Sequence, residues 1–147
     1  MRKGLIATIV ALPLIIVFAL TANLGQNRMK MHHASTQQGD RKIPPYYENP
    51  DEVKDLPTVL DPNQFKDENI RKAYKIAQDH PRLFLQLPCA CGCDRTDGHK
   101  SLLSCYTDKH GEYCGVCQQE AMLAGELFAK GTPVKEIRAK IIEKFIY

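Results

Sequence analysis

Apolar residues fall into three regimes along this chain: an unbroken early run, a stretch where they thin out, and a second half where they recur at helical intervals. The first run, Leu5 to Leu24, holds 20 residues without a charged side chain. At 1.5 Å per helical residue it covers roughly 30 Å, the thickness of a bilayer core, and predicts a transmembrane helix. Pro13 is compatible with that reading, because membrane helices accept proline better than soluble ones. A cleaved signal peptide is the rival, but Leu20 fits poorly as the first alanine of an Ala-x-Ala site. The uncleaved anchor is favoured over residues 1–24, and no cysteine in or just after the run offers a place for a lipid.

From Gly25 to Leu60 the chain is polar and punctuated by Pro44, Pro45, Pro50 and Pro57, with no sustained period, so residues 25–60 read as an extended linker. Periodicity returns at Asp61-Pro62, where Asp61 suits an N-cap, Pro62 the first helical position and Gln64 an approximate capping box. Ile70, Ala73, Tyr74 and Ala77 then form one apolar stripe, and His80-Pro81 ends it. Leu83 to Leu87 carry the chain inward. Asp94 to Gly98 reads as a polar loop. His99 to His110 reads as a short helix with Leu102, Leu103 and Tyr106 inward and Gly111 as its stop. A third helix is expected from about Tyr113 to Lys130, with Cys114, Cys117, Ala121, Ala124 and Phe128 on one face and Gly131 at its end. Thr132 and Pro133 open a fourth, whose inward stripe is Val134, Ile137, Ile141 and Phe145.

The expected fold is therefore all-α: a domain of about four helices over residues 61–147, stapled by cysteines, behind an N-terminal membrane helix. At this size a hydrophobic core gives a thin margin, and small domains add disulfides or a metal.

Composition narrows the function classes. The chain has 147 residues, 44% of them hydrophobic and 25% charged, with 20 basic against 17 acidic side chains and a net charge of +3. No basic block or basic-aromatic stripe points to nucleic acid. There are no long repeats and no nucleotide-binding glycine pattern. Paired carboxylates and a nucleophile–base constellation are also missing, and Asp94, Asp97 and Asp108 read as loop and cap residues. An enzyme is not expected.

The chemistry concentrates in six cysteines: Cys89, Cys91 and Cys93 within five residues, then Cys105, then Cys114 and Cys117. Three chemistries compete. In a disulfide framework, cysteines two apart rarely satisfy the geometry. Each of Cys89, Cys91 and Cys93 would then pair with one of Cys105, Cys114 and Cys117, which leaves the connectivity open. In a metal site, a helical turn at Cys114-x-x-Cys117 places two sulfurs together, and Gly92 lets Cys91 and Cys93 curl to face them. That four-sulfur set suits Cu(I) or zinc, with Cys89 and Cys105 next in line and His99 and His110 as further candidate ligands. In the third, Cys114 and Cys117 opening a helix have the spacing of a thiol–disulfide exchange pair, without the βαβ context that would support it. His32-His33 beside Met29 and Met31 reads as a flexible juxtamembrane strip rather than a metal site.

Pro88-Cys-Ala-Cys-Gly-Cys93, Gly98-His-Lys-Ser-Leu-Leu103, Cys105, His110-Gly111, Cys114-x-x-Cys117 and Glu136-Ile-Arg138 resemble the bacterial PCYCGC-motif (lipo)proteins, in order from about Ala73 to Phe145. Two departures stand out: Ala90 replaces the motif's tyrosine, and a lipobox cysteine is lacking. The resemblance implies a membrane-attached bacterial protein with its body outside the cytoplasm, and supplies a location rather than a mechanism; the Leu5–Leu24 helix would make it single-pass. Arg28, Lys30, Arg41 and Lys42 after the apolar run argue for the opposite orientation by charge count, whereas the short basic head Arg2-Lys3 has the form of an export signal. The body is placed outside. There, free thiols oxidise unless a metal holds them. The expected function is thiolate binding of copper or zinc, with the membrane and a metal-handling or redox protein as partners.

Overall fold

A computed structural model describes residues 42–146, and among them every regular element is helical. The predicted membrane helix over Leu5–Leu24 and the first part of the linker lie outside the described residues. Among the described residues no helix is long and apolar enough to cross a membrane.

The helix expected from Asp61 forms in two steps. Asp61 caps Pro62, accepting the Asn63 N–H at 3.0 Å, but only a single 3-10 turn, Pro62–Gln64, follows. Phe65 then turns extended and buries its ring against Tyr74, with centroids 4.1 Å apart. A second cap, Asp67, accepts the N–H groups of Asn69 and Ile70 and opens α1, Glu68–Asp79. The stripe of Ala73, Tyr74 and Ala77 is buried as its period predicts. His80 ends α1, and Pro81 at once begins α2, Pro81–Leu85, a short helix that the apolar run Leu83–Leu87 does not announce. Its Leu83, Phe84 and Leu85 are buried.

After the Pro88–Gly92 turn, Cys93–Thr96 forms a single helical turn, α3, where a loop was expected. The helix expected over His99–His110 is broken. Ser101 is extended, and Leu102–Tyr106 winds as a 3-10 helix. Leu102, Leu103, Cys105 and Tyr106 are all fully buried. An amphipathic α-helix presents one stripe to the core, and the tighter three-residue turn is how this short segment buries four of five side chains. Asp108 then accepts the His110 N–H at 2.7 Å and starts α4, His110–Tyr113.

The last two helices follow the sequence closely. Cys114 is the N-cap of α5, Gly115–Ala129, which ends before Gly131 at φ +76°. Pro133 caps α6, Val134–Phe145, one residue later than the Thr132 cap expected. Cys117, Ala121 and Ala124 are buried, whereas Phe128 is 38% exposed and lies over the His80 ring. In α6, Ile137 and Ile141 are fully buried and Val134 and Phe145 flank them. α5 packs on α1 and on α6.

Residues 42–60 are largely extended, yet they lie on the helical body. The Tyr47 N–H donates to Leu85 O at 2.9 Å, and the Leu60 N–H to Tyr106 O at 3.0 Å. Arg138, 8% exposed on α6, reaches Glu48 at 2.7 Å, donates to Gln86 O at 2.7 Å and stands over the Tyr46 ring at 4.1 Å. Packing therefore begins well before Asp61.

Candidate metal centre

Gly92 decides how the first three cysteines are dealt out. At φ +87° it occupies the left-handed region that glycine enters freely, and it reverses the chain between Cys91 and Cys93. Cys91 stays beside Cys89 and Cys117, with Sγ–Sγ distances of 3.4 Å and 3.8 Å respectively, and Cys89 lies 3.4 Å from Cys117. Cys93 turns the other way and meets Cys105 at 3.5 Å. The expected four-sulfur set is thus not the one assembled: Cys93 does not join Cys91 at the Cys114–Cys117 pair.

All eight residues singled out from the sequence converge nonetheless. Ligand atoms of Cys91, His110, Cys114 and Cys117 lie within 4.8 Å of one another, as do those of Cys93, His99, Cys105 and His110. Cys89 is within the same distance of Cys105 and Cys117, and of Cys91 and Cys93. The six thiols are free. Their close contacts, 3.4 to 3.8 Å, far exceed a disulfide bond of about 2.05 Å. The edge of a tetrahedron of thiolates about 2.3 Å from a central ion is about 3.8 Å; the Cys91–Cys117 contact equals it and the others are somewhat shorter.

The histidines are aimed. His99 turns Nδ1 to Cys105 Sγ at 3.4 Å and Nε2 to the Asp108 carboxylate at 3.5 Å. His110 turns Nε2 to Cys91 Sγ at 3.4 Å and Nδ1 to the Asp97 carboxylate at 3.6 Å. A carboxylate on the far nitrogen fixes the tautomer of a ligating imidazole and raises its basicity. Asp97 and Asp108, read from the sequence as loop and cap residues, hold these positions. Asp108 does both jobs, since its other oxygen accepts the His110 N–H at the start of α4.

The scaffold under the site is aromatic. Tyr106 is fully buried, edge-on to Tyr74 and Phe84, and its hydroxyl donates to Cys117 O at 2.6 Å. Tyr74 donates to Asp108 O at 2.6 Å. Gly111, expected as a helix stop, lies inside α4 and is needed for close approach. A Cβ there would stand 2.9 Å from Cys105 O and 3.0 Å from the Tyr106 ring.

Glu120 was not anticipated, although Cys117, Glu120, Ala121 and Ala124 share the i, i+3, i+4, i+7 stripe that marks a buried face. Its Oε1 accepts the Ala90 N–H at 2.8 Å, tying α5 to the cysteine loop, while its buried Oε2 has no partner. Burial raises its pKa to about 7, against the lowering effect of the Ala90 N–H and the Cys89 thiol.

The thiols share charge unevenly. The surrounding thiols, Cys105 foremost, pull Cys91 below the ordinary thiol range by donating to its thiolate. Neighbouring thiols, Cys117 foremost, and burial push Cys105 far above it. One negative charge can be stabilised this way, but a fully deprotonated cluster calls for a bound cation.

A family model described as a protein of unknown function with PCYCGC motif matches residues 9–146. No curated protein and no solved structure matches the chain.

Proposed function

The chain belongs to the PCYCGC-motif family, and within it we propose that this protein is a binder of a thiophilic metal, Cu(I) or zinc, rather than an enzyme. The observation that carries the reading is the orientation of the histidines. Each presents one ring nitrogen to a thiol at 3.4 Å and the other to a carboxylate. A structural staple of disulfides has no use for such a pairing, whereas a metal ligand depends on it.

The donor set fits soft ions: thiolate and imidazole select Cu(I) and zinc over magnesium or calcium. The fold brings the half-site on the Pro88–Cys93 loop against the half-site at the start of α5. Cys105 and the two histidines arrive from the segments between. The proposed setting is the outer face of a bacterial membrane, with the Leu5–Leu24 helix as anchor and a metal-handling or redox protein as partner. In an oxidising compartment the bound ion keeps the thiols from pairing.

The test is metal analysis of the natively purified chain together with thiol titration before and after chelation. Stoichiometric copper or zinc, with thiols that react only once the ion is removed, supports the reading. A metal-free protein whose cysteines are all oxidised overturns it.

A further inference from the structure

Resting on that reading, we propose that the centre holds two ions of unequal accessibility, an inner one sealed in the core and an outer one open to exchange.

Eight donors surround the site, and two four-coordinate ions require eight. The outer set is Cys91, His110, Cys114 and Cys117, all mutually within 4.8 Å. The inner set is Cys93, Cys105 and His99, with Cys93 and His99 3.5 Å and 3.4 Å from Cys105. Two residues stand on the border. His110 is within reach of both sets, but its Nε2 lies 3.4 Å from Cys91, which assigns it outward. Cys89 is nearest to Cys91 and Cys117 but also lies within 4.8 Å of Cys93 and of Cys105, and with the four outer places filled it is the donor left to complete the inner set. Each ion then has three sulfurs and one imidazole, and each imidazole has its own carboxylate, Asp108 inside and Asp97 outside. Cys89 also touches Cys91 and Cys117 at 3.4 Å, so its thiolate lies between the two ions.

Burial separates the two sites. Cys89, Cys93 and Cys105 are 3%, 1% and 0% exposed and His99 is 9% exposed. The gap beside Cys89, Cys93 and His99, bordered by Pro44 and Pro45, is too small for a water molecule. In the outer set Cys91 and Cys114 are half-buried and the His110 side chain is 24% exposed; only Cys117 is fully enclosed. A competing ligand therefore meets the outer ion first. The inner ion acts as a staple joining α3 to the 3-10 segment, and the outer one is the exchangeable cargo.

The experiment loads the full-length chain with zinc, counts bound zinc by native mass spectrometry, and follows its release to a chromophoric chelator. Two equivalents per chain are expected, one released fast and one slowly. Cys114→Ser and His110→Ala lose the fast equivalent and keep the slow one, and His99→Ala loses the slow one. A single equivalent in the unmodified chain, or two released in one phase, overturns the two-ion centre while leaving metal binding intact. A chain that takes up neither zinc nor Cu(I) overturns the metal reading itself. The unmodified chain gives these answers even where a variant fails to fold.

Discussion

The rings of His99 and His110 stand 5.0 Å apart and inclined at 73°, each with a thiol on one nitrogen and a carboxylate facing the other. Neither spacing is a standard ligand motif along the chain. The pairing arises because the 3-10 segment and α4 fold the two residues back over the cysteine loop.

Weakening the carboxylate support should weaken metal binding without unfolding the domain. Asp108→Asn keeps an oxygen to accept the His110 N–H, and changes the group facing His99 Nε2. A loss of metal affinity of about 10–100-fold is expected, measured by chelator competition. Affinity equal to that of the unmodified chain would show that Asp108 serves only to hold the His110 N–H.

Gly111→Ala offers a test by sign. In an unobstructed helix the change stabilises by roughly 0.5–1 kcal/mol. Here the new methyl meets Cys105 O at 2.9 Å and the Tyr106 ring at 3.0 Å, so a net loss of about 1–3 kcal/mol is expected from overpacking. Chemical denaturation reads the sign directly, and a stabilised variant would refute the close approach.

Tyr106→Phe removes the hydroxyl that donates to Cys117 O at 2.6 Å. The expected cost is about 1 kcal/mol, seen as a lower denaturation midpoint, with metal stoichiometry unchanged because the hydroxyl is not a ligand. Loss of the metal at unchanged stability would assign Tyr106 a different role.

Glu120 gives the metal-free protein a pH dependence. Its folded pKa, about 7, lies above the ordinary value of 4.5. A raised pKa means the stability associated with the protonated form is fully present below about pH 4.5 and is lost as pH rises through 7. The span corresponds to ~3 kcal/mol. Glu120→Gln keeps an acceptor for the Ala90 N–H and carries no charge, so its stability relative to the unmodified chain should improve from pH 5 to about 7 and level off above. Parallel pH profiles for the two proteins would contradict the buried acid.

The features readable from sequence were local ones. The apolar stripes of α1, α5 and α6, the break at His80-Pro81 and the glycine end at Gly131 all follow from side-chain period and backbone freedom. The local clustering of Cys89, Cys91 and Cys93, and of Cys114 and Cys117, is also legible, since each group lies within a few residues. What the sequence did not disclose depends on the sense of one turn and on contacts across the fold. The left-handed Gly92 sends Cys93 to Cys105 instead of to the α5 pair. Asp97 and Asp108 are ordinary loop acids until the histidines meet them. Phe65 leaves the helix because the Tyr74 ring offers it burial, and the sequence carries no local signal for that choice beyond the second cap, Asp67. Glu120 was visible in principle, as a charged residue on an apolar stripe.

The most direct test of thiolate metal binding is an intact-mass and metal measurement on the full-length chain, purified natively from an oxidising compartment. Thiolate binding predicts stoichiometric copper or zinc and, after chelation and alkylation under denaturing conditions, modification of all six cysteines. A mass lower by six hydrogens, with no metal bound, would contradict it.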